Sequence, residues 1–175
     1  MTKKISKTVE EKIAEAMESK RIYYIVDTEN VNKDSYIDLT GLRKNDVLEL
    51  MYTSNSKNIS YNTLEIIHNC PADIRFKSFG VVQATKNLLD FKMVVEGTSI
   101  LAKSNKYFVV FVSEDKGFDS AIEYINELYG ERCVRVDKIT KIRKRDTGKD
   151  IDIDPLKILL LNNSKLITNK EGQCK

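Results

Sequence analysis

The apolar positions of this chain repeat at two different periods, and the changes between them divide it into alternating elements. Residues 8–19 (TVEEKIAEAMES) place Val9, Ile13 and Met17 four apart among charges, which predicts a lone amphipathic helix before the main domain. RIYYIVD at 21–27 is apolar on consecutive positions, as a centrally buried parallel strand is. A polar stretch with short-helix character, 28–45, leads to a second strand at 46–53 and a helix at 60–70, with Ser60 as its N-cap and Pro71 closing it. Residues 72–79 alternate through Ile74, Phe76 and Phe79 as a third strand, and Gly80 marks the turn. The longest helix is predicted over 84–102, with Leu88, Phe91 and Val95 on its apolar stripe and Gly97 interrupting it. YFVVFV at 107–112 is a fourth strand. A turn at 113–117, a helix ending before Gly130 and a fifth strand at 131–139 follow.

Strands alternating with helices over short connections predict an α/β fold, a three-layer sandwich around a mainly parallel five-stranded sheet. The domain plan is an N-terminal helix at 1–20, a main domain at 21–137, and a C-terminal stretch at 138–175. In that last stretch Asp154 and Pro155 open a leucine-rich helix, and the residues after Leu166 have the look of a frayed tail.

Composition narrows the chemistry. With 175 residues, 41% hydrophobic and 31% charged, and no apolar run near membrane-spanning length, the chain reads as a soluble globular protein. MTKKISKTVEEK has charge but no apolar run after it, so no secretory signal is expected and the predicted location is cytoplasmic. Three widely spaced cysteines with a single histidine fit reduced thiols better than disulfides or zinc. His68, in a helical stretch with no nucleophile motif nearby, reads as a surface or packing residue. If the protein is an enzyme, carboxylates and a metal must do most of the work.

Four aspartates answer to that description. In a parallel sheet the loops after the strands emerge on the carboxyl edge, where ligands bind. Asp27 ends the first strand, Asp115 lies just beyond the fourth, and Asp90 and Asp119 occupy early turns of helices that leave that edge. Asp115 and Asp119 also suit the capping of the helix they introduce. Asp90 interrupts the apolar NLLDFKMVV, and Asp27 has no helix dipole to complement, so neither has an obvious structural use. Asn87, three residues before Asp90, is expected on the same helix face. Glu29 and Asn30 flank the first acid. Such a set suits Mg2+ or Mn2+, one ion or two, which prefer oxygen ligands and can drive phosphodiester hydrolysis without histidine.

IVDTENVN at 25–32, KNLLDF at 86–91 and SEDKGFDSAIEY at 113–124, in this order and on these elements, resemble the acidic signatures of PIN-like nucleases, in particular the bacterial branch near the NYN group. The resemblance covers residues 21–137 and implies a Mg2+- or Mn2+-dependent endonuclease acting on RNA, with DNA-cutting relatives. It implies that Asp27, Asp90, Asp115 and Asp119 are metal ligands, directly or through water, and that Asn30 and Ser113 orient them or the phosphate. Lys86, Lys116 and the run KITKIRKR, with Lys141, Arg143, Lys144 and Arg145, are candidates for binding single-stranded or flexible RNA. Two rival readings stand beside it. In one, the chain is a haloacid-dehalogenase-like phosphatase with Asp27 as nucleophile; in the other, it is a non-catalytic RNA-binding module of the same fold. The N-terminal helix is a candidate surface for a homodimer or a protein partner.

Overall fold

The computed structural model describes residues 7–31, 39–54, 56, 59–79 and 87–139. Nine elements follow in chain order: α1 (Val9–Ser19), β1 (Arg21–Asp27), β2 (Val47–Thr53), α2 (Tyr61–His68), β3 (Asp73–Phe79), α3 (Leu88–Lys103), β4 (Tyr107–Val112), α4 (Phe118–Tyr129) and β5 (Cys133–Val136). The five strands form one parallel sheet in the order β3-β2-β1-β4-β5. β1 is central, which is why its side chains are buried on both faces while β3, at an edge, buries none fully.

The period of two sorts the core. Ile22, Tyr24 and Val26 of β1 join Ile13 and Ala16 of α1 and Ile67 of α2 on one side of the sheet. Tyr23 and Ile25 join Leu89, Met93 and Leu101 of α3 and Phe118, Ile122 and Ile125 of α4 on the other. Two helices therefore cover each face, in three layers. Each fully buried Ile, Val or Phe contributes about 1.5–3 kcal/mol. At Gly97 α3 packs tightly on the sheet, and a Cβ there would lie 2.5 Å from Cζ of the buried Phe111.

The N-cap expected at Ser60 is in place, and the structure adds a second cap on α1. Ser60 Oγ accepts from Thr63 N at 3.1 Å and caps α2. Thr8 and Glu11 form a reciprocal capping box on α1. α1 docks on its own chain's core: beyond Ile13 and Ala16, Arg43 donates to the carbonyls of Met17 and Lys20 at its C-terminal end. Arg43 is itself gripped by buried Asp46, with Nη2 to Oδ1 at 2.7 Å, and Asp46 also accepts from Ile22 N at 3.0 Å. Cys70 and Cys133 are free thiols, and His68 is an exposed residue in the last turn of α2.

Two readings of α3 need correction. Its buried stripe is Leu89, Met93, Gly97 and Leu101, whereas Phe91 and Val95 are exposed. The helix is apolar on more than one side, so spacing alone did not select the face. Asn87 does not share a helix face with Asp90, because it stands before the helix as an N-cap in the left-handed conformation, φ 64°. Lys86, Lys141, Arg143, Lys144, Arg145 and the predicted C-terminal helix lie outside the described residues. No helix among the described residues is long and apolar enough to cross a membrane.

Candidate active site

Strand alternation decides which side chains can meet at the carboxyl edge. Tyr23 and Ile25 of β1, and Val109 and Phe111 of β4, face α3 and α4, so the next positions in phase, Asp27 and Ser113, lie on that same side. Because β1 and β4 are neighbours, the two meet: Ser113 Oγ donates to Asp27 Oδ2 at 2.8 Å, and both residues are fully buried. Asn30 Nδ2 donates to the same oxygen at 2.9 Å, and the backbone N–H groups of Glu29 and Asn30 donate to Oδ1, each at 3.1 Å. Four donors fill the roughly four acceptor positions of a carboxylate and fix its orientation. None of the four is charged.

The chain reverses direction across the sheet at this point, running from β1 outward through β2 and β3 and returning to β4 on the other side. The crevice between the two diverging connections is lined by Glu29, Asn30, Val31, Glu114 and Asp115. Glu114 N donates to Asn30 O at 3.0 Å and ties the loops together. Asp115 Oδ1 accepts from Gly117 N at 2.7 Å, while its own N–H donates to Ser113 Oγ at 3.1 Å. Asp115 thus closes a side-chain turn before α4 and does not cap the helix, whose N-cap is Gly117 without a side-chain cap hydrogen bond. Thr53 Oγ1, at the end of β2, donates to Glu29.

Asp90 sits half-buried in the first turn of α3. Burial first, and then the negative charges of Asp27, Asp115 and Glu29, hold its carboxyl above the usual carboxylate range. Desolvation and like-charge repulsion act in the same direction here. Asp119 stands apart from this group: it is exposed, and its Oδ1 accepts from Arg135 Nε at 2.7 Å. Lys116 is exposed on the turn beside Asp115.

Sequence reasoning missed two contributors. Glu114 joins Glu29 and Asp115 as a third acid lining the crevice; it lies next to Asp115 in the SEDKGFD block and could have been read there. Arg135, on β5, donates through Nη1 to the carbonyl of Ser113 at 2.9 Å and to Asp137, besides binding Asp119. Nothing in its neighbourhood VRVDK signals that role, which depends on β5 pairing with β4.

Among the described residues no group of three or more His, Cys, Asp or Glu side chains is arranged to hold a metal ion by direct ligation. The donor set nevertheless fits a hard divalent cation. Its charged members are all carboxylates, and the charge that depresses ionisation of Asp90 is what a cation would relieve. Mg2+ typically takes one or two protein carboxylates and keeps several waters, so a closed cage is not required. With both oxygens of Asp27 engaged, its direct ligation would displace one of its present donors. The same sealing argues against Asp27 as a nucleophile, which needs a free oxygen in reach of substrate.

An all-parallel α/β sheet with a carboxylate-lined crevice at its topological reversal defines a Rossmann-like domain with its ligand site on the carboxyl edge. Residues 21–136 match the PIN domain family, and the chain belongs to it. PIN domains are generally nucleases, usually metal-dependent, and act on nucleic acid. No curated protein matches the chain in sequence.

Proposed function

We propose that this PIN domain is a Mg2+- or Mn2+-dependent endoribonuclease acting on single-stranded or flexible RNA, closest in type to the bacterial NYN-like branch whose acidic blocks it resembles. The observation that carries the reading is the shared field of Asp27, Asp90, Asp115 and Glu29, which costs stability without a cation. When bound, the ion would supply Lewis-acid chemistry for phosphodiester hydrolysis. Asp90 and Asp115 would hold it, Asp27 would join them directly or through water by giving up one of its present donors, and Glu29 and Glu114 would add negative charge around the crevice. Ser113 and Asn30 keep Asp27 in one orientation, and Arg135 fixes the Ser113 backbone while holding Asp119 at the rim.

A carboxylate rim alone repels a polyanion, so attraction must come from basic residues; Lys116, on the turn beside Asp115, is one candidate, and Lys86, Lys141, Arg143, Lys144 and Arg145, outside the described residues, are the others. The test is incubation of purified protein with labelled single-stranded RNA, single-stranded DNA and a chromogenic phosphomonoester, each with Mn2+ or with chelator. Metal-dependent cutting of RNA, lost in Asp27→Asn and Asp115→Asn, is the expected result. Phosphomonoester turnover with no strand cleavage would replace the nuclease with a phosphatase, and binding without turnover would leave a non-catalytic module.

A further inference from the structure

The amino edge of the same sheet carries the opposite charge. A depression lies there between the end of α1 and the segments leading into β2 and β4, lined by Lys20, Arg21, Arg43, Lys44, Asn45 and Lys106. Arg43 is neutralised by Asp46. The others keep their charge: Lys20 Nζ donates to the carbonyl of Asn105 at 2.9 Å and Arg21 Nε to that of Asn45 at 2.6 Å, while the Arg21 guanidinium rests 5.4 Å from the centre of the Tyr107 ring. Those partners orient the cationic heads without cancelling them. Among the described residues, Lys20, Arg21, Lys44 and Lys106 make no ion pair, and these four come together in one depression. Glu18 is the one acid lining the depression.

We infer that this depression is a second nucleic-acid contact, which takes phosphates of a single strand whose cleaved portion lies at the carboxyl edge. The identity of the polymer rests on the nuclease reading above. Extended polyanions suit the site because its cations are spread along the depression and come from three separate segments, rather than converging with backbone N–H groups on one point. Its lining is charged and concave, with half-buried Met17 its one apolar side chain, which does not suit a membrane surface. A seven-residue strand separates the two edges by about 20 Å. A strand of about six nucleotides, at roughly 3.4 Å each when stacked, spans that distance.

The test uses the full chain and the double variant Lys44→Gln/Lys106→Gln, which changes two exposed side chains outside the acidic crevice. Fluorescence anisotropy with labelled single-stranded RNA of about 24 nucleotides, in chelator, is read across about 50 to 200 mM salt. The variant should bind several-fold more weakly, with the slope of log K against log salt smaller by about 1.4 for two lost contacts. Mn2+-dependent cleavage of a strand of about 3 nucleotides, too short to reach both edges, should be unchanged. An unchanged slope on the long strand overturns the proposal. So does an equal loss of cleavage on the short strand, which would mean a general field, or binding to anionic vesicles that the variant loses while RNA binding stays. If neither protein cleaves anything, the nuclease reading fails, and the anisotropy slopes still decide whether the depression binds RNA.

Discussion

Asp27 and Asp46 are both fully buried aspartates, at opposite ends of the same sheet, and they are satisfied in opposite ways. Asp46 is paired with the Arg43 guanidinium and accepts from the backbone N–H groups of Ile22 and Arg43. A buried charge compensated in that manner is a staple, joining the start of β1, the entry to β2 and the end of α1. Asp27 receives four neutral hydrogen bonds and no counter-charge, and Asp90, Asp115 and Glu29 add negative charge around it. A fold selected for stability alone would not leave a buried carboxylate among its like. One end of the sheet is neutralised from within the fold, and the other is left with uncompensated negative charge, the end at which we propose a cation binds.

Exchanging the two roles by mutation should give crossed outcomes. Asp46→Asn should lower unfolding free energy by about 2–3 kcal/mol, because it strips Arg43 of its partner, while metal-dependent cleavage by the folded fraction persists. Asp27→Asn should cut cleavage by about 100-fold or more with the denaturation midpoint moved little, since the amide oxygen keeps the two backbone N–H donors, its Nδ2 can donate to Ser113 Oγ, and the repulsion with Asp90 is relieved. Chemical denaturation and single-turnover cleavage on both variants check the pair. A matching loss of activity in the Asp46 variant would erase the distinction.

Metal linkage sharpens the same contrast. At Mn2+ about 100-fold above its dissociation constant, the melting curve should rise by the equivalent of about 2.7 kcal/mol, and Asp27→Asn or Asp90→Asn should remove most of that rise while Asp46→Asn keeps it. Arg135→Ala should lower the cleavage rate by about 10-fold, as the carbonyl of Ser113 and Asp119 lose their common anchor. A substrate-independent fall in rate with unaltered KM would identify it as a positioning residue.

The smallest effect is a pH dependence of the metal-free protein. Asp90 is held above its ordinary range in the folded state, so the fold binds its proton more tightly than the unfolded chain does. That contribution is fully present below the normal aspartate range and is lost as pH rises through the raised value. Asp90→Asn should therefore stabilise the metal-free protein at neutral pH, by less than about 1 kcal/mol, and the gain should vanish in acid. Urea midpoints across pH, with chelator, read the difference; a gain that grows on acidification would reverse the sign.

The strands were legible because buried parallel strands are continuous apolar runs. RIYYIV and YFVVFV admit few other readings, and their burial on both faces follows from central places in the sheet. Ser60, capping α2, was legible because capping is local. Helix α3 shows the limit. Its Leu, Phe, Met and Val residues fit two stripes, and only contact with Phe111 and Ile25 at Gly97 decides which is inside. The acids divide likewise. Asp27 and Asp115 follow apolar strands, so their shared edge could be inferred from order alone. That Asp119 is bound to Arg135 could not, since the arginine comes from a strand added to the sheet later in the chain.

The order of apolar runs and breaks determined the layers, the parallel sheet and the edge at which carboxylates gather, because those depend on periodicity and on the direction of short connections. Tertiary structure alone decided which acids share one field and which are neutralised, that Asp27 is sealed by Ser113 and Asn30, and that four unpaired cations meet in one depression at the opposite edge. Electrostatic partnership depends on distances of a few ångströms between residues far apart in sequence, and only the folded chain sets those distances.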